Sequence, residues 1–253
     1  VAQTFAVWFP IFDIVVWTAI VFFATIAILF TNAYGLIEIG AFWLVVIFSC
    51  VTVLIAFGLP FTPYGYTGGD IISGLTFQLP PAAVASVVGM FGITGVGADE
   101  ITMYPYWCLE KGYARWTGPK DGSEAWYKRA NGWLNVMYKD ITVSFVIYTF
   151  ATMAFFLMGA AVLYKQGIKA EGAGTLTMIK SLSRMYTDTL GGWAGSLFLL
   201  GSFAVLGSTL WAAVPSWSRQ WTNWMGIGGL IDWANPGTRM KVIRSWTVFL
   251  TIL

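Results

Sequence analysis

Residues 141–164 read ITVSFVIYTFATMAFFLMGAAVLY, a run without Lys, Arg, Asp or Glu. A helix rises about 1.5 Å per residue, so the run is long enough to cross a hydrocarbon core of roughly 30 Å. Within such a core the chain must satisfy its own backbone polar groups, and a helix does so internally. Working outward, residues 14–30 and 193–214 are equally free of charge, and 36–57 carries only Glu38. Residues 82–98 run apolar into Asp99 and Glu100, and 242–253 is still apolar where the chain stops. The whole chain is 57% hydrophobic and 10% charged, with mean hydropathy +0.70, whereas an ordinary soluble domain is about a quarter charged. The sequence therefore predicts an all-α polytopic membrane protein. Its spans are expected at about 11–31, 36–58, 82–110, 141–164, 193–214 and 242–253. Residues 1–253 read as a single transmembrane domain incomplete at both ends: the first residue is Val1, no signal peptide precedes the spans, and the last apolar run is open at Leu253.

Charge sets the expected orientation. Lys111, Arg115, Lys120, Lys128, Arg129 and Lys139 lie between the third and fourth spans, and Arg219, Arg239, Lys241 and Arg244 between the fifth and sixth. Together they make ten of the fourteen basic residues. Both loops fall on one side of the membrane, and the positive-inside rule makes loops 111–140 and 215–241 cytoplasmic. Residues 59–79 and 165–188 fall outside. The expected location is integral to a bacterial-type plasma (inner) membrane, with the lipid bilayer as a partner and no nucleic acid. Tyr34, Tyr64, Trp107, Trp126 and Trp133 stand near segment ends, as interfacial aromatic belts require. In the loop 112–139, a short interfacial helix is expected around 123–133.

Cys50 and Cys108 form no CxxC pair, and the chain has no His, which removes the commonest proton shuttle and transition-metal ligand. No HExxH, GxSxG or P-loop is present, which argues against an enzyme. Coupled chemistry falls to carboxylates, Tyr or Lys.

The functional signal is Gly89-Met-Phe-Gly-Ile-Thr-Gly-Val-Gly-Ala-Asp-Glu-Ile-Thr-Met-Tyr-Pro-Tyr-Trp-Cys-Leu-Glu-Lys111. An apolar helix beginning after Pro80-Pro81 meets four glycines, then two adjacent acids, then Pro105. Glycine weakens a helix by about 1 kcal/mol relative to Ala, so the span 82–110 is expected to break near 95–100. Broken helices give transporters midplane sites made of freed carbonyls and half-helix ends. A carboxylate at that depth costs on the order of 3 kcal/mol and so faces an ion path or a partner. The candidate metal site is Asp99 and Glu100 with the carbonyls of Gly97 and Ala98. The plainer alternative is that the small residues serve close helix packing while the acids sit at a helix end in headgroup water. Glu38, Glu110 and Asp140 read as interfacial, and Asp13 is open between the two readings. Gly201, Gly207, Ser208 and Thr209 read as packing and backbone-bonding residues, with Ser208 and Thr209 kept as alternates for lining the path.

In this order the features resemble the Nramp divalent-metal transporters, in particular their divergent relatives. The resemblance rests on Tyr34-Gly-Leu-Ile-Glu, Ile72-Ser-Gly-Leu-Thr-Phe-Gln-Leu-Pro, Gly89-Met-Phe-Gly, Met137-Tyr-Lys-Asp-Ile and Val242-Ile-Arg-Ser. It implies the five-plus-five inverted-repeat fold (LeuT-like, APC superfamily) with one broken helix, the chain covering about the fourth helix to the beginning of the ninth. The family's Met-Pro-His motif falls on Val96, Gly97 and Ala98, so its soft ligand and its His are both missing. Its first-helix Asp-Pro-Gly-Asn site would lie before Val1. Asp99 and Glu100 supply hard oxygen, which suits Mg²⁺, Mn²⁺ or Ca²⁺ better than thiophilic ions.

The expected function is secondary active transport of divalent cations of the Mn²⁺/Fe²⁺/Mg²⁺ class by alternating access, the metal being cargo and no cofactor being implied. One of two adjacent acids resists ionisation when the other is charged, so the pair is expected to carry the coupled proton. Tyr104 and Tyr106 read as packing residues within hydrogen-bond reach of the cavity. The alternatives are a same-fold transporter of an organic solute such as an amino acid, and a non-transporting membrane subunit.

Overall fold

The computed structural model describes residues 1–30, 34–76, 78, 81–94, 97–110, 112–167 and 175–252, and all regular structure among them is helical. The helices are α1 (Ala2–Trp8), α2 (Ile14–Phe30), α3 (Tyr34–Gly58), α4 (Gly68–Gly74), α5 (Val84–Thr94), α6 (Ala98–Glu110), α7 (Glu124–Met158), α8 (Thr175–Leu190), α9 (Ala194–Ile227) and α10 (Pro236–Ile252). Among the described residues, three helical stretches are long and apolar enough to cross a membrane: Phe42–Phe61, Glu124–Tyr164 and Ala194–Ile227, with mean hydropathies of 2.6, 2.0 and 1.9. α2 is apolar but shorter, at 17 residues. Phe145, Ile147, Phe150, Met153 and Phe156 of α7 are all exposed, an arrangement that water would penalise and lipid would not. The chain is thus an all-helical protein built for association with a membrane.

Two stretches read as loop from their charge are helical. Residues 124–140 are the first part of α7 rather than a separate short helix, and 215–227 continue α9. Charge marks where a helix leaves hydrocarbon, not where it ends, and Glu, Ala, Lys, Arg, Leu and Met are good helix formers in water. α7 starts where Ser123 Oγ accepts the Trp126 N–H at 3.1 Å, an N-cap bond. Helix α8 also lies where 165–188 was read as loop. Its Ile179, Leu182, Met185 and Tyr186 follow helical spacing and are buried or half-buried, with Lys180, Ser183 and Arg184 on other faces. The span expected at 82–110, with its break near 95–100, corresponds to α5 and α6, between which residues 95–96 lie outside the described residues.

Contacts group the chain into two units. The first comprises Val1–Leu75, Thr149–Val214 and Thr247–Leu253. Its core gathers Leu59, Met158, Val162, Met185, Tyr186 and Phe198 around one buried polar pair. Thr52 donates its hydroxyl to the Phe48 carbonyl at 2.8 Å, so the 2.7 Å contact with Tyr186 is donated by the Tyr186 O–H. The Tyr186 ring stacks on Phe48 and tilts against Phe198 and Phe155. A β-carbon at Gly201 would stand inside the Phe48 ring, so glycine is required for that approach. The helix after Met158 widens into a π-turn, Gly159–Tyr164, beyond which Lys165 donates its ammonium to the Tyr64 and Gly65 carbonyls. The second unit comprises Thr76–Tyr148 and Pro215–Trp246.

Gly201→Ala is expected to destabilise the protein by about 1–3 kcal/mol through overpacking, and Phe48→Leu on that background to recover part of the loss. Chemical unfolding in detergent micelles, followed by the helical circular-dichroism signal, checks both.

A capping box closes the start of α4. Thr67 Oγ1 accepts the Asp70 N–H at 3.3 Å while Asp70 Oδ2 accepts the Thr67 N–H at 2.7 Å and its hydroxyl at 2.8 Å. The bonds from Thr67 hold the exposed Asp70 carboxyl below its ordinary 3.8, with a lesser pull from Lys165. A carboxylate whose folded pKa lies below its unfolded one adds stability above the unfolded value and loses it as pH falls through the folded one. The melting-temperature difference between wild type and Asp70→Asn is therefore expected to be present near pH 6 and to shrink as the pH is taken down below the ordinary carboxyl value of 3.8.

Candidate functional site

All four residues of the sequence-derived site belong to the second unit, at the start of α6. α5 carries no charged residue, VASVVGMFGIT, and ends at Thr94. Gly97 is not helical, and α6 begins at Ala98. Gly97 acts as the N-cap: its carbonyl accepts the Ile101 N–H at 3.1 Å, and its own N–H donates to Glu100 Oε2 at 2.9 Å. That is the acidic half of a capping box, with Glu100 at the third helical position. Acids in a first helical turn also meet the positive end of the helix dipole. The Glu100 carboxylate is exposed. The side chains of Ala98 and Asp99 lie outside the described residues, so of the four proposed ligands the structure brings together Gly97 and Glu100.

This geometry limits what each group can give a cation. One carboxylate oxygen of Glu100 carries the Gly97 N–H, and the other is Oε1. The Gly97 carbonyl is engaged by Ile101 but has a second lone pair. Ala98 opens α6, so its carbonyl belongs to the helical ladder. Pro105 has no N–H, so the Ile101 carbonyl one turn earlier has no donor at the usual i+4 position. Among the described residues, no three His, Cys, Asp or Glu side chains stand together as a metal-binding group.

α6 is held by the second part of α9. Gln220, 3% exposed, donates its amide to the Thr102 hydroxyl at 2.6 Å, and Asn223 donates to the Tyr106 hydroxyl at 2.9 Å. Thr102 and Tyr106 are one turn apart on α6, and Gln220 and Asn223 one turn apart on α9, so two amide–hydroxyl bonds form adjacent rungs. Met103 of α6 is 2% exposed, and Ser216, Ser218 and Thr222 of the same α9 segment are buried too. Gln220 and Asn223 are not legible as site residues from charge, because Arg219, Arg239, Lys241 and Arg244 mark their segment as a cytoplasmic loop. Four buried polar residues in a Trp-rich helix were the available signal.

The remaining expectations resolve simply. Ser208 and Thr209 both donate their hydroxyls to the Val205 carbonyl of their own helix, at 3.0 and 2.9 Å. Tyr106 bonds Asn223, so its hydroxyl joins helices. Cys50 and Cys108 are free thiols. The side chains of Glu38 and Glu110 lie outside the described residues.

No family model, curated protein or solved structure matches this chain.

Replacing only Thr102 leaves the buried Gln220 amide without that acceptor, so Thr102→Val is expected to cost about 1–3 kcal/mol. Gln220→Leu with Thr102→Val removes both partners and is expected to cost less than the sum of the single variants. A double-mutant cycle on unfolding free energies measures the coupling.

Proposed function

We propose that the protein is a secondary active transporter of divalent metal cations, of the Mn²⁺/Fe²⁺/Mg²⁺ class, working by alternating access around the junction of α5 and α6. One observation carries this reading: in a chain with three span-length helices, an apolar helix ends at Thr94 and a second starts at Ala98 with a glycine cap and a carboxylate in its first turn. In hydrocarbon, such a junction leaves backbone groups to be satisfied by side chains or by a bound ion. The Nramp-like five-plus-five inverted repeat is the architecture that would place the junction at the midplane, and it forms part of the proposal.

In this mechanism Asp99 and Glu100 supply carboxylate oxygen, and the carbonyls of Gly97 and Ala98 contribute the lone pair that helical bonding leaves them. Glu100 keeps Oε2 on the Gly97 N–H and offers Oε1, so the cap prepositions the ligand without consuming it. An all-oxygen set favours hard ions. In this proposal the metal flux is coupled to a proton flux through this acid pair. By the positive-inside rule, 111–140 and 215–241 face the cytoplasm of a bacterial-type inner membrane. An amino-acid substrate fits less well, because the N-terminus of α6 already accommodates the Glu100 carboxylate and would set it against a substrate carboxylate.

The test is uptake of Mn²⁺ and Mg²⁺ by proteoliposomes holding the intact protein, with an internal pH dye. Saturable uptake is expected in the wild type and should fall by about tenfold or more in Asp99→Asn and in Glu100→Gln, as when a metal loses a supporting group. Equal uptake in wild type and both variants moves the site off this junction. Failure of the wild type to take up either metal sinks the cation reading.

A further inference from the structure

Four polar residues of α9, Ser216, Ser218, Gln220 and Thr222, are buried on a segment that the transport site does not include. Thr222 turns its hydroxyl back onto the Ser218 carbonyl at 2.7 Å and so serves its own helix. Gln220 reaches across instead, as its half-buried neighbour Asn223 does, and their bonds to Thr102 and Tyr106 fall on either side of Pro105. Thr102 precedes the proline by three residues and Tyr106 follows it by one, so the two ties stand about 6 Å apart along α6.

Pro105 is the weak point of that helix. It offers no N–H to the Ile101 carbonyl and its ring crowds that oxygen, which is how a proline inside a helix brings about a bend. A bend at this position swings the first turn of α6, and the Glu100 carboxylate with it, relative to everything beyond Tyr106. A tie on one side of the proline leaves that swing free. A tie on each side, to one anchored neighbour, fixes it.

The neighbour is anchored on another face. Trp221 stacks on Trp246 of α10 with ring centroids 5.4 Å apart and 21° between the planes, and the Trp246 indole N–H donates to the Met225 sulfur at 3.3 Å. At about 100° per residue, the pair 221 and 225 points roughly 150° away from the pair 220 and 223. This part of α9 therefore holds α10 with one pair and α6 with the other. Apolar side chains alone could pack α9 on α6, and they would leave no buried amide to satisfy. An amide adds direction, because it is satisfied in one register only.

We propose that Gln220 and Asn223 are positioning residues for the cation site, a splint across Pro105 that holds the first turn of α6 at binding geometry without touching the ion. The splint rests on the transport reading of the α5–α6 junction and adds to it the groups that keep the ligands in place. Ligand oxygens must stand within about half an ångström of their productive positions, and groups that support a metal ligand are worth about ten- to a hundredfold in affinity.

The experiment is Mn²⁺ binding by the intact protein in detergent micelles, read from the electron paramagnetic resonance signal of the free ion. Gln220→Leu cuts the first tie, and Tyr106→Phe cuts the second while keeping the ring. Each is expected to raise the Mn²⁺ dissociation constant about tenfold. Gln220→Thr with Thr102→Gln rebuilds the first tie from the opposite helix and is expected to recover most of that loss. Gly201→Ala, which lowers stability from within the first unit, should leave the constant at its wild-type value. Loss of binding in Glu100→Gln alongside wild-type affinity in both tie variants overturns the splint and leaves the transport site standing. Equal weakening by Gly201→Ala overturns it too, because general loosening then accounts for the effect. A wild type that binds no Mn²⁺ removes the transport site and the splint together.

Discussion

A peptide group in hydrocarbon has no water to bond, so a chain that crosses a membrane must close each backbone hydrogen bond with its own atoms. The long helices follow from that constraint, and so does the behaviour of the small hydroxyl residues within them. Thr18 bonds Ile14, Thr52 bonds Phe48, Thr142 bonds Tyr138, Thr209 bonds Val205, Thr222 bonds Ser218 and Thr251 bonds Thr247, each turning its hydroxyl back onto the carbonyl one turn earlier. A hydroxyl used in this way needs no neighbour and carries little information about a site. The informative positions are those where a helix begins or stops and its end groups need another partner. At such positions this chain places Thr67 with Asp70, Asp121 with Ser123, Gly97 with Glu100, and Lys165 on the Tyr64 and Gly65 carbonyls.

Tertiary packing then depends on a few polar side chains that bond across helices. In the first unit, Tyr186 donates to Thr52 beneath stacked aromatic rings, and Gly201 is small enough to let Phe48 reach that stack. In the second, Gln220 and Asn223 tie α9 to α6. Apolar contact alone discriminates poorly between partners when lipid is as apolar as leucine, so a directed bond between buried groups does more to fix register. Thr102 and Tyr106 are the natural receivers, because they lie one turn apart on α6.

The apolar runs were legible because the absence of charge over a span length has one strong physical cause. Helix limits were less so. Counting Lys and Arg finds where hydrocarbon ends and is blind to whether the helix goes on, which is why 124–140 and 215–227 were read as loop. α8 was written plainly in the spacing of Ile179, Leu182, Met185 and Tyr186, but a charge count over 165–188 averages that pattern away. The glycines and acids near 95–100 predicted a break, of which the described residues show the end of α5 at Thr94 and the start of α6 at Ala98. The pairing of Gln220 with Thr102 was not, since a contact between residues 118 positions apart leaves no local trace in one sequence.

Glu100 of α6 shows that a capping role leaves part of a carboxylate unspent. A carboxylate has about four lone-pair directions, and the cap at Gly97 takes one of them on Oε2. The cap also fixes the Glu100 rotamer, so a ligand meeting Oε1 need not order the side chain again. Pro105 constrains the same helix from further along: it has no N–H for the Ile101 carbonyl and its ring crowds that oxygen, so the ladder is weakest one turn after Glu100 and the start of α6 depends the more on its cap at Gly97.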